Sequence, residues 1–113
     1  MLFYSLKKNL IELGIKENKL PDLEKYLKNN RGNIIFFKNF ISKFNLTKEE
    51  GKNVLSFLLD KGILEIMYRL IYESNYWDFY NIREIPSEIE VGDIIISDVF
   101  NKLIILFKVK ENE

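Results

Sequence analysis

The sequence predicts a small α+β protein in which helices precede antiparallel strands. Up to Gly62, apolar residues recur at three- and four-residue spacing, which is typical of helices with one buried face. From Ile63 to Glu73, apolar and polar residues alternate, which is typical of strands with one buried face. A length of 113 residues and an apolar content of 47% fit one modest hydrophobic core.

The residue types that are missing from the chain limit its chemistry. There is no cysteine and no histidine, which excludes disulfides, thiolate nucleophiles, the usual zinc ligands and the commonest general base. We therefore predict a non-catalytic protein that uses no metal or other cofactor. The longest unbroken apolar run, Leu103–Phe107, is too short to span a membrane, and Met1–Leu13 lacks the pattern of a secretory signal. These features favour a cytoplasmic protein.

Charge is distributed unevenly along a chain whose formal net charge is zero. Residues 1–62 contain 12 cations and 7 carboxylates, a net charge of +5, whereas residues 63–113 contain 5 cations and 10 carboxylates, a net charge of −5. A basic first half is typical of proteins that bind polyanions. The same asymmetry is expected if two lobes of opposite charge complement each other.

Four helices and one short strand are predicted up to residue 61, with turn residues between them. Gly14 ends the first helix, and a polar linker continues through Lys19. Pro21 lies in the first turn of the second helix, where proline is tolerated. Asn39 is expected to cap the third helix. In order, the elements are helix Leu2–Leu13, helix Leu20–Asn29, strand Asn33–Phe37, helix Asn39–Phe44 and helix Thr47–Lys61.

The turn between the last two helices has three local signals. Asn45–Leu46 interrupts the helical spacing, and asparagine tolerates the left-handed conformation that a tight turn requires. Thr47 followed by Glu50 three residues later is a capping box, which predicts the start of a new helix. Gly51 is expected on the inward side of this helix, where a missing side chain allows two helices to cross closely.

The second half of the chain is predicted to contain two β-hairpins. The first hairpin consists of strand Ile63–Glu73, turn Ser74–Asn75 and strand Tyr76–Ile82. The second consists of strand Asp93–Phe100, turn Asn101–Lys102 and strand Leu103–Lys110. Alternate residues of the last strand are expected to face inward, namely Leu103, Ile105, Phe107 and Val109.

This order of elements resembles the winged helix-turn-helix superfamily. The resemblance covers Leu20–Ile82 and lies chiefly in the string NLTKEEGKNVLSFLLDKGILE, which looks like a turn, a recognition helix and the entry to a wing. It implies an extra N-terminal helix and linker in residues 1–19, a winged-helix domain in residues 20–83 and a C-terminal β-hairpin extension in residues 84–113, packed on the wing. The last part is also similar to the zinc ribbon that follows the wing in some microbial members. Because every metal-binding cysteine is missing, such an extension would be held by apolar packing.

The resemblance implies a DNA-binding surface at the start of the recognition helix, which enters the major groove in this superfamily. Two glutamates in the first turn, Glu49 and Glu50, and a wing with more carboxylates than cations would oppose contact with phosphates. The alternative is a helix face that is simply solvated. The candidate DNA-binding residues are Lys43, Thr47, Lys48, Lys52 and Asn53.

The segment YWDFY, residues 76–80, is the densest aromatic group in the chain. Strand alternation separates Tyr76 and Tyr80 from Trp77 and Phe79. One set is expected to pack on the core and the other to remain exposed as an interaction surface. Coverage of both sets by the C-terminal hairpin is the alternative. We predict that these four aromatic residues bind a protein partner.

Two functions from different classes are consistent with the sequence. The first is a non-catalytic protein-interaction or adaptor module that uses the aromatic segment. The second is a transcriptional regulator that binds DNA through the Thr47–Lys61 helix. The Leu2–Leu13 helix is expected to pack against the domain or against a second copy in a homodimer. The charge placement favours the adaptor.

Overall fold

A computed structural model, which describes residues 3–111, places the α-helices in the first half of the chain and all strands but one in the second. This arrangement confirms the predicted α+β class with a small antiparallel sheet. The helices are α1 (Lys7–Glu12), α2 (Leu20–Asn29), α3 (Phe37–Lys43) and α4 (Lys48–Asp60). The strands are β1 (Ile34–Ile35), β2 (Leu64–Tyr72), β3 (Asn75–Phe79), β4 (Ile89–Val91), β5 (Ile94–Ile96) and β6 (Ile104–Val109). Single turns of 3-10 helix lie at Phe3–Leu6, Glu17–Lys19, Ile82–Glu84 and Val99–Lys102.

The helices follow the sequence patterns, with one correction at the start of α3. Helix α2 has the predicted bounds, and α1 follows a 3-10 turn, with the predicted first residue, Leu2, lying outside the described residues. Helix α3 begins at Phe37, so the prediction that Asn39 caps it is wrong. The helix starts early because Phe37 and Ile41, four residues apart, both pack against the core.

The turn between α3 and α4 confirms the predicted local signals. Asn45 has a positive φ of 52°. The amide of Glu50 donates to the Thr47 hydroxyl at 3.1 Å, and the amide of Thr47 donates to the Glu50 carboxylate at 2.9 Å. These reciprocal bonds form the capping box and satisfy two backbone donors at the start of α4.

Helices α3 and α4 approach closely at Gly51, as predicted. Gly51 is buried, and a Cβ atom at this position would overlap the γ-methyl of Ile41 and lie 3.0 Å from Cε1 of Phe37. A residue with a side chain would therefore push the two helices apart. The close crossing of α3 and α4 therefore requires glycine at position 51.

The chain divides into two compact units. Within the described residues, the first unit comprises 3–65 and 107–111. Its core is built by α1–α4, β1 and the end of β6. Phe40 and Phe44 are buried, with their ring centroids 5.2 Å apart, and the Tyr26 ring contacts both of them edge-on.

The second unit comprises residues 66–106 and has a smaller core. Its buried residues come from β2, β5 and the segments around them, and half-buried side chains from the β2–β3 and β4–β5 hairpins pack against them. The fully or nearly fully buried members are Leu70, Ile85, Ile96 and Val99.

The larger sheet has the strand order β1-β6-β2-β3, and β4 and β5 form a separate two-stranded sheet. β1 pairs antiparallel with β6, with Ile34 opposite Lys108. β2 pairs antiparallel with β3 in a continuous register from Tyr68 opposite Phe79 to Tyr72 opposite Asn75.

The prediction of a C-terminal hairpin with its turn at Asn101–Lys102 is wrong. Asn101–Lys102 lies in a 3-10 turn, and β5 pairs with β4 rather than with the last strand. The hairpin turn lies at Gly92–Asp93 because Gly92, with φ +62°, adopts the positive φ that a two-residue turn favours. The last strand, β6, instead lies beside β1 and β2.

Three finer predictions also need correction. The turn of the first hairpin is Glu73–Ser74 rather than Ser74–Asn75, and β3 ends at Phe79 rather than at Ile82. In β6, Val109 is buried as predicted, but Ile105 is 59% exposed.

Candidate functional site

Strand alternation gives the β2–β3 hairpin two faces with different surroundings. The inner face packs on the core of the second unit and includes two of the four predicted partner-binding aromatics, Trp77 and Phe79. The other two, Tyr76 and Tyr80, are exposed by 61% and 51%. The structure therefore separates the predicted aromatic set into a core pair and a surface pair.

The outer face of the hairpin has an ion pair at its centre. Arg69 and Asp78 are cross-strand neighbours, and the guanidinium donates two hydrogen bonds to the carboxylate, Nε to Oδ1 at 2.7 Å and Nη2 to Oδ2 at 3.0 Å. The two side chains are only 21% and 24% exposed. The hydrogen bond to Asp78 raises the pKa of Arg69 above its ordinary value, so Arg69 remains charged at any physiological pH.

The ring of Tyr76, two residues before Asp78 on β3, lies against the guanidinium of this ion pair. The centroid of its ring lies 4.3 Å from the guanidinium carbon of Arg69, within the range of a cation–π contact. Ile71, directly opposite Tyr76, is 53% exposed. We call Arg69, Ile71, Tyr76, Asp78 and Tyr80 the outer face.

The rest of the second unit has the same mixture of apolar surface and negative charge. Residues 66–106 contain three cations and seven carboxylates, a net charge of −4. Among the described residues, most of the large apolar side chains that are exposed belong to this unit; Ile11 and Phe36 are the two that belong to the first. The additional exposed side chains of the second unit are Ile82, Ile94, Ile95, Phe100, Ile104 and Ile105.

The predicted DNA-binding residues lie in the first unit, at the end of α3 and the start of α4. All five are exposed. The Thr47 hydroxyl accepts the capping hydrogen bond of α4, and the ammonium of Lys43 lies 5.8 Å from the Tyr26 ring and 5.9 Å from the Phe44 ring. The remaining three, Lys48, Lys52 and Asn53, project from the first turns of α4.

The ion pair and Ile71 were not predicted from the sequence as members of the candidate site. The available signal was the position of the turn, since Arg69 and Asp78 are equally far from Glu73–Ser74 on the two strands. Cross-strand partners of opposite charge stabilise a hairpin. The misplaced turn hid this relation.

Among residues 3–111, no group of three or more acidic side chains is arranged to hold a metal ion. No helix in this part of the chain combines the length and the apolar content that crossing a membrane requires. Comparison with known proteins gave no matching family model, no matching curated protein and no matching solved structure. The outer face is therefore the feature on which we base a functional proposal.

Proposed function

We propose that this protein is a non-catalytic adaptor that binds a protein partner through the outer face. The observation that supports this proposal is the Arg69–Asp78 pair beneath Tyr76, beside the exposed Ile71. Arginine and tyrosine are enriched among the residues that dominate binding energy at protein interfaces. Because the Arg69 side chain is already held by two hydrogen bonds and an aromatic ring, binding would cost little additional side-chain entropy.

The chemistry of the second unit favours a partner surface with an apolar centre and cationic side chains around it. Apolar contact would come from Ile71, Tyr76 and Tyr80, which are more than half exposed. The net charge of −4 on residues 66–106 would attract lysine and arginine at the edge of the interface. Such steering would weaken as ionic strength rises.

We also propose that residues 20–82 are a divergent winged helix. The order of α2, β1, α3, α4 and the β2–β3 hairpin supports this relation, and so does the capping box that begins α4. In that interpretation the outer face lies on the wing.

Site-specific photo-crosslinking tests the adaptor proposal. A photoreactive phenylalanine analogue at position 71 should form a discrete adduct with another protein in cells, whereas the same analogue at Phe36, an equally exposed position in the first unit, should not. The captured protein should then bind the purified chain, and Ile71→Ala and Tyr80→Ala should each weaken that affinity about ten-fold, with Phe36→Ala as the matched control. Equal adducts at both positions, or affinity unchanged by both substitutions, would contradict the proposal.

DNA binding through α4 is the second candidate function. It is supported by the net charge of +4 on the residues of the first unit and by the exposure of Lys48, Lys52 and Asn53. If it operates, generic duplex DNA should bind at low salt, with affinity that falls steeply as salt rises and is abolished in the Lys48→Glu/Lys52→Glu variant. Absence of binding at low salt would eliminate this candidate.

A further inference from the structure

Strand β3 has an edge to which no other strand of residues 3–111 is hydrogen-bonded, since it ends the order β1-β6-β2-β3. An open edge presents backbone N–H and C=O groups in an extended row and is a template for another strand. Natural proteins commonly protect such edges with lysine, proline or a bulge. β3, with the sequence NYWDF, has no lysine or proline, and its register with β2 contains no bulge.

The turn determines which backbone groups point toward the open edge. Tyr72 and Asn75 flank the two-residue turn, and residues in this position of a hairpin exchange backbone hydrogen bonds with each other. Alternation along the strand then directs the backbone groups of Trp77 toward β2. The N–H and C=O groups of Tyr76 and Asp78 point away from β2, toward the open edge.

The one charged side chain of β3 does not protect this edge. A carboxylate on an edge strand normally opposes pairing with a like-charged strand. The carboxylate of Asp78 is instead bound by two of the three guanidinium nitrogens of Arg69 in the same chain. This ion pair lowers the cost of bringing Asp78 into an interface, although a second carboxylate placed directly opposite Asp78 would still be repelled.

We propose that β3 pairs antiparallel with β3 of a second copy of this chain, around a two-fold axis at Trp77. In this register Tyr76 of each copy lies opposite Asp78 of the other. The outward-directed groups of both residues are then satisfied, because each of the two pairs exchanges two backbone hydrogen bonds. The sheets of the two copies become continuous across the axis, with Trp77 opposite Trp77.

The other symmetric registers that match outward-directed residues are less favourable. Centring the axis on Asp78 places two carboxylates directly opposite each other, which is destabilising. Centring it on Tyr76 places Asp78 opposite Ser74, a turn residue outside the strand. The Trp77 register is the one that keeps both outward pairs within β3 and separates the two carboxylates.

This dimer is independent of the proposed adaptor function. It uses the backbone edge of β3 and, from the outer face, Tyr76 and Asp78, whereas the test of the adaptor proposal uses Ile71 and Tyr80, which lie outside the paired residues of the dimer. The dimer is measured on the purified chain alone and without a partner. Failure of either proposal is therefore distinguishable from failure of the other.

Sedimentation velocity over a wide concentration range, with the purified chain, tests the dimer. We expect a concentration-dependent monomer–dimer equilibrium, and the emission of Trp77, the one tryptophan of the chain, should change on dilution with the same midpoint. Tyr76→Glu should weaken the dimer about ten-fold relative to Tyr76→Lys, because position 76 faces Asp78 of the second copy. Within one chain the two substitutions act in the opposite direction, since the Tyr76 ring lies 4.3 Å from Arg69, which would attract glutamate and repel lysine.

The two Tyr76 variants are expected to rank in opposite order in dimer affinity and in folding stability. Measuring both quantities therefore separates an effect on association from an effect on folding. Thermal unfolding should show Tyr76→Glu as at least as stable as Tyr76→Lys, while the dimer constants rank in reverse. Ile11→Glu, on an exposed position of α1, is the matched control and should leave the dimer unchanged. A monomer at every concentration, equal dimer constants for the two Tyr76 variants, or loss of the dimer in Ile11→Glu would each overturn the proposal, the last in favour of pairing through α1.

Discussion

Replacing Gly51 by alanine tests the helix crossing on which the first unit is built. Two effects oppose each other. Alanine is favoured over glycine in a helix interior by about 1 kcal/mol. Against this, the new Cβ would overlap the γ-methyl of Ile41 and lie 3.0 Å from Cε1 of Phe37.

The steric effect should dominate because Ile41 cannot turn its γ-methyl away. The methyl is attached to a β-branched carbon whose χ1 is nearly fixed in a helix, so α3 would have to move from α4. Overpacking of this kind costs about 1–3 kcal/mol. We therefore expect Gly51→Ala to destabilise the protein by up to about 2 kcal/mol after the gain in helix propensity.

Measuring Gly51→Ala in an Ile41→Ala background tests whether the contact with Ile41 is the cause of the destabilisation. In Ile41→Ala the overlapping methyl is absent, and the half-buried Phe37 ring can adjust to the remaining contact. Gly51→Ala should then become neutral or stabilising, by up to about 1 kcal/mol. The measurement is urea unfolding of the four proteins, followed by circular dichroism. A stabilising effect of Gly51→Ala in the wild-type background, or the same effect in both backgrounds, would show that the helices do not cross closely at this position.

Two further predictions concern polar groups in the two units. In the second unit, a double-mutant cycle of Arg69→Ala and Asp78→Ala should give a coupling free energy of about 1 kcal/mol, because the pair is bidentate and three-quarters covered; additive effects would contradict this. In the first unit, burial raises the pKa of Tyr26 above its ordinary value of 10.0. The neutral phenol is favoured in the folded state, so the contribution of Tyr26 to stability is complete below pH 10 and is lost as the pH rises through the raised pKa. Tyr26→Phe keeps the ring and removes this titration, so its unfolding free energy should fall less at alkaline pH; identical alkaline profiles would refute the assignment.

The helical half of the fold was predictable because its signals are local. The capping box of Thr47, the left-handed Asn45 and the inward Gly51 each act within a few residues, and all three are observed. Element starts were less predictable. Helix α1 begins at Lys7 after a 3-10 turn, and α3 begins at Phe37 rather than at Asn39 because Phe37 and Ile41 both pack against the core. At the start of α3, the packing of Phe37 and Ile41 outweighs the capping preference of Asn39.

Strand pairing in the second half depends on contacts between distant segments, which periodicity does not encode. β6 pairs with β1, some seventy residues earlier in the chain, whereas the pattern alone favoured its immediate neighbour. The candidate site was likewise predictable only in part. Alternation correctly separated Tyr76 from Trp77, but the inclusion of Arg69 required the register, and the register followed from the position of the turn.

The second unit has a small core of its own, so either proposed association would stabilise it. Residues 66–106 are 41 residues with a small core centred on Leu70, Ile96 and Val99, which is near the lower limit for a stable unit. Most of the large exposed apolar side chains in the described residues belong to it. Because association that buries part of this surface adds free energy only to the folded form, binding by a partner or by a second copy should protect the amides of β2 and β3 from hydrogen exchange. Protection of the Tyr76 and Asp78 amides that rises with protein concentration, without a partner, would identify the second copy as the source of that stability.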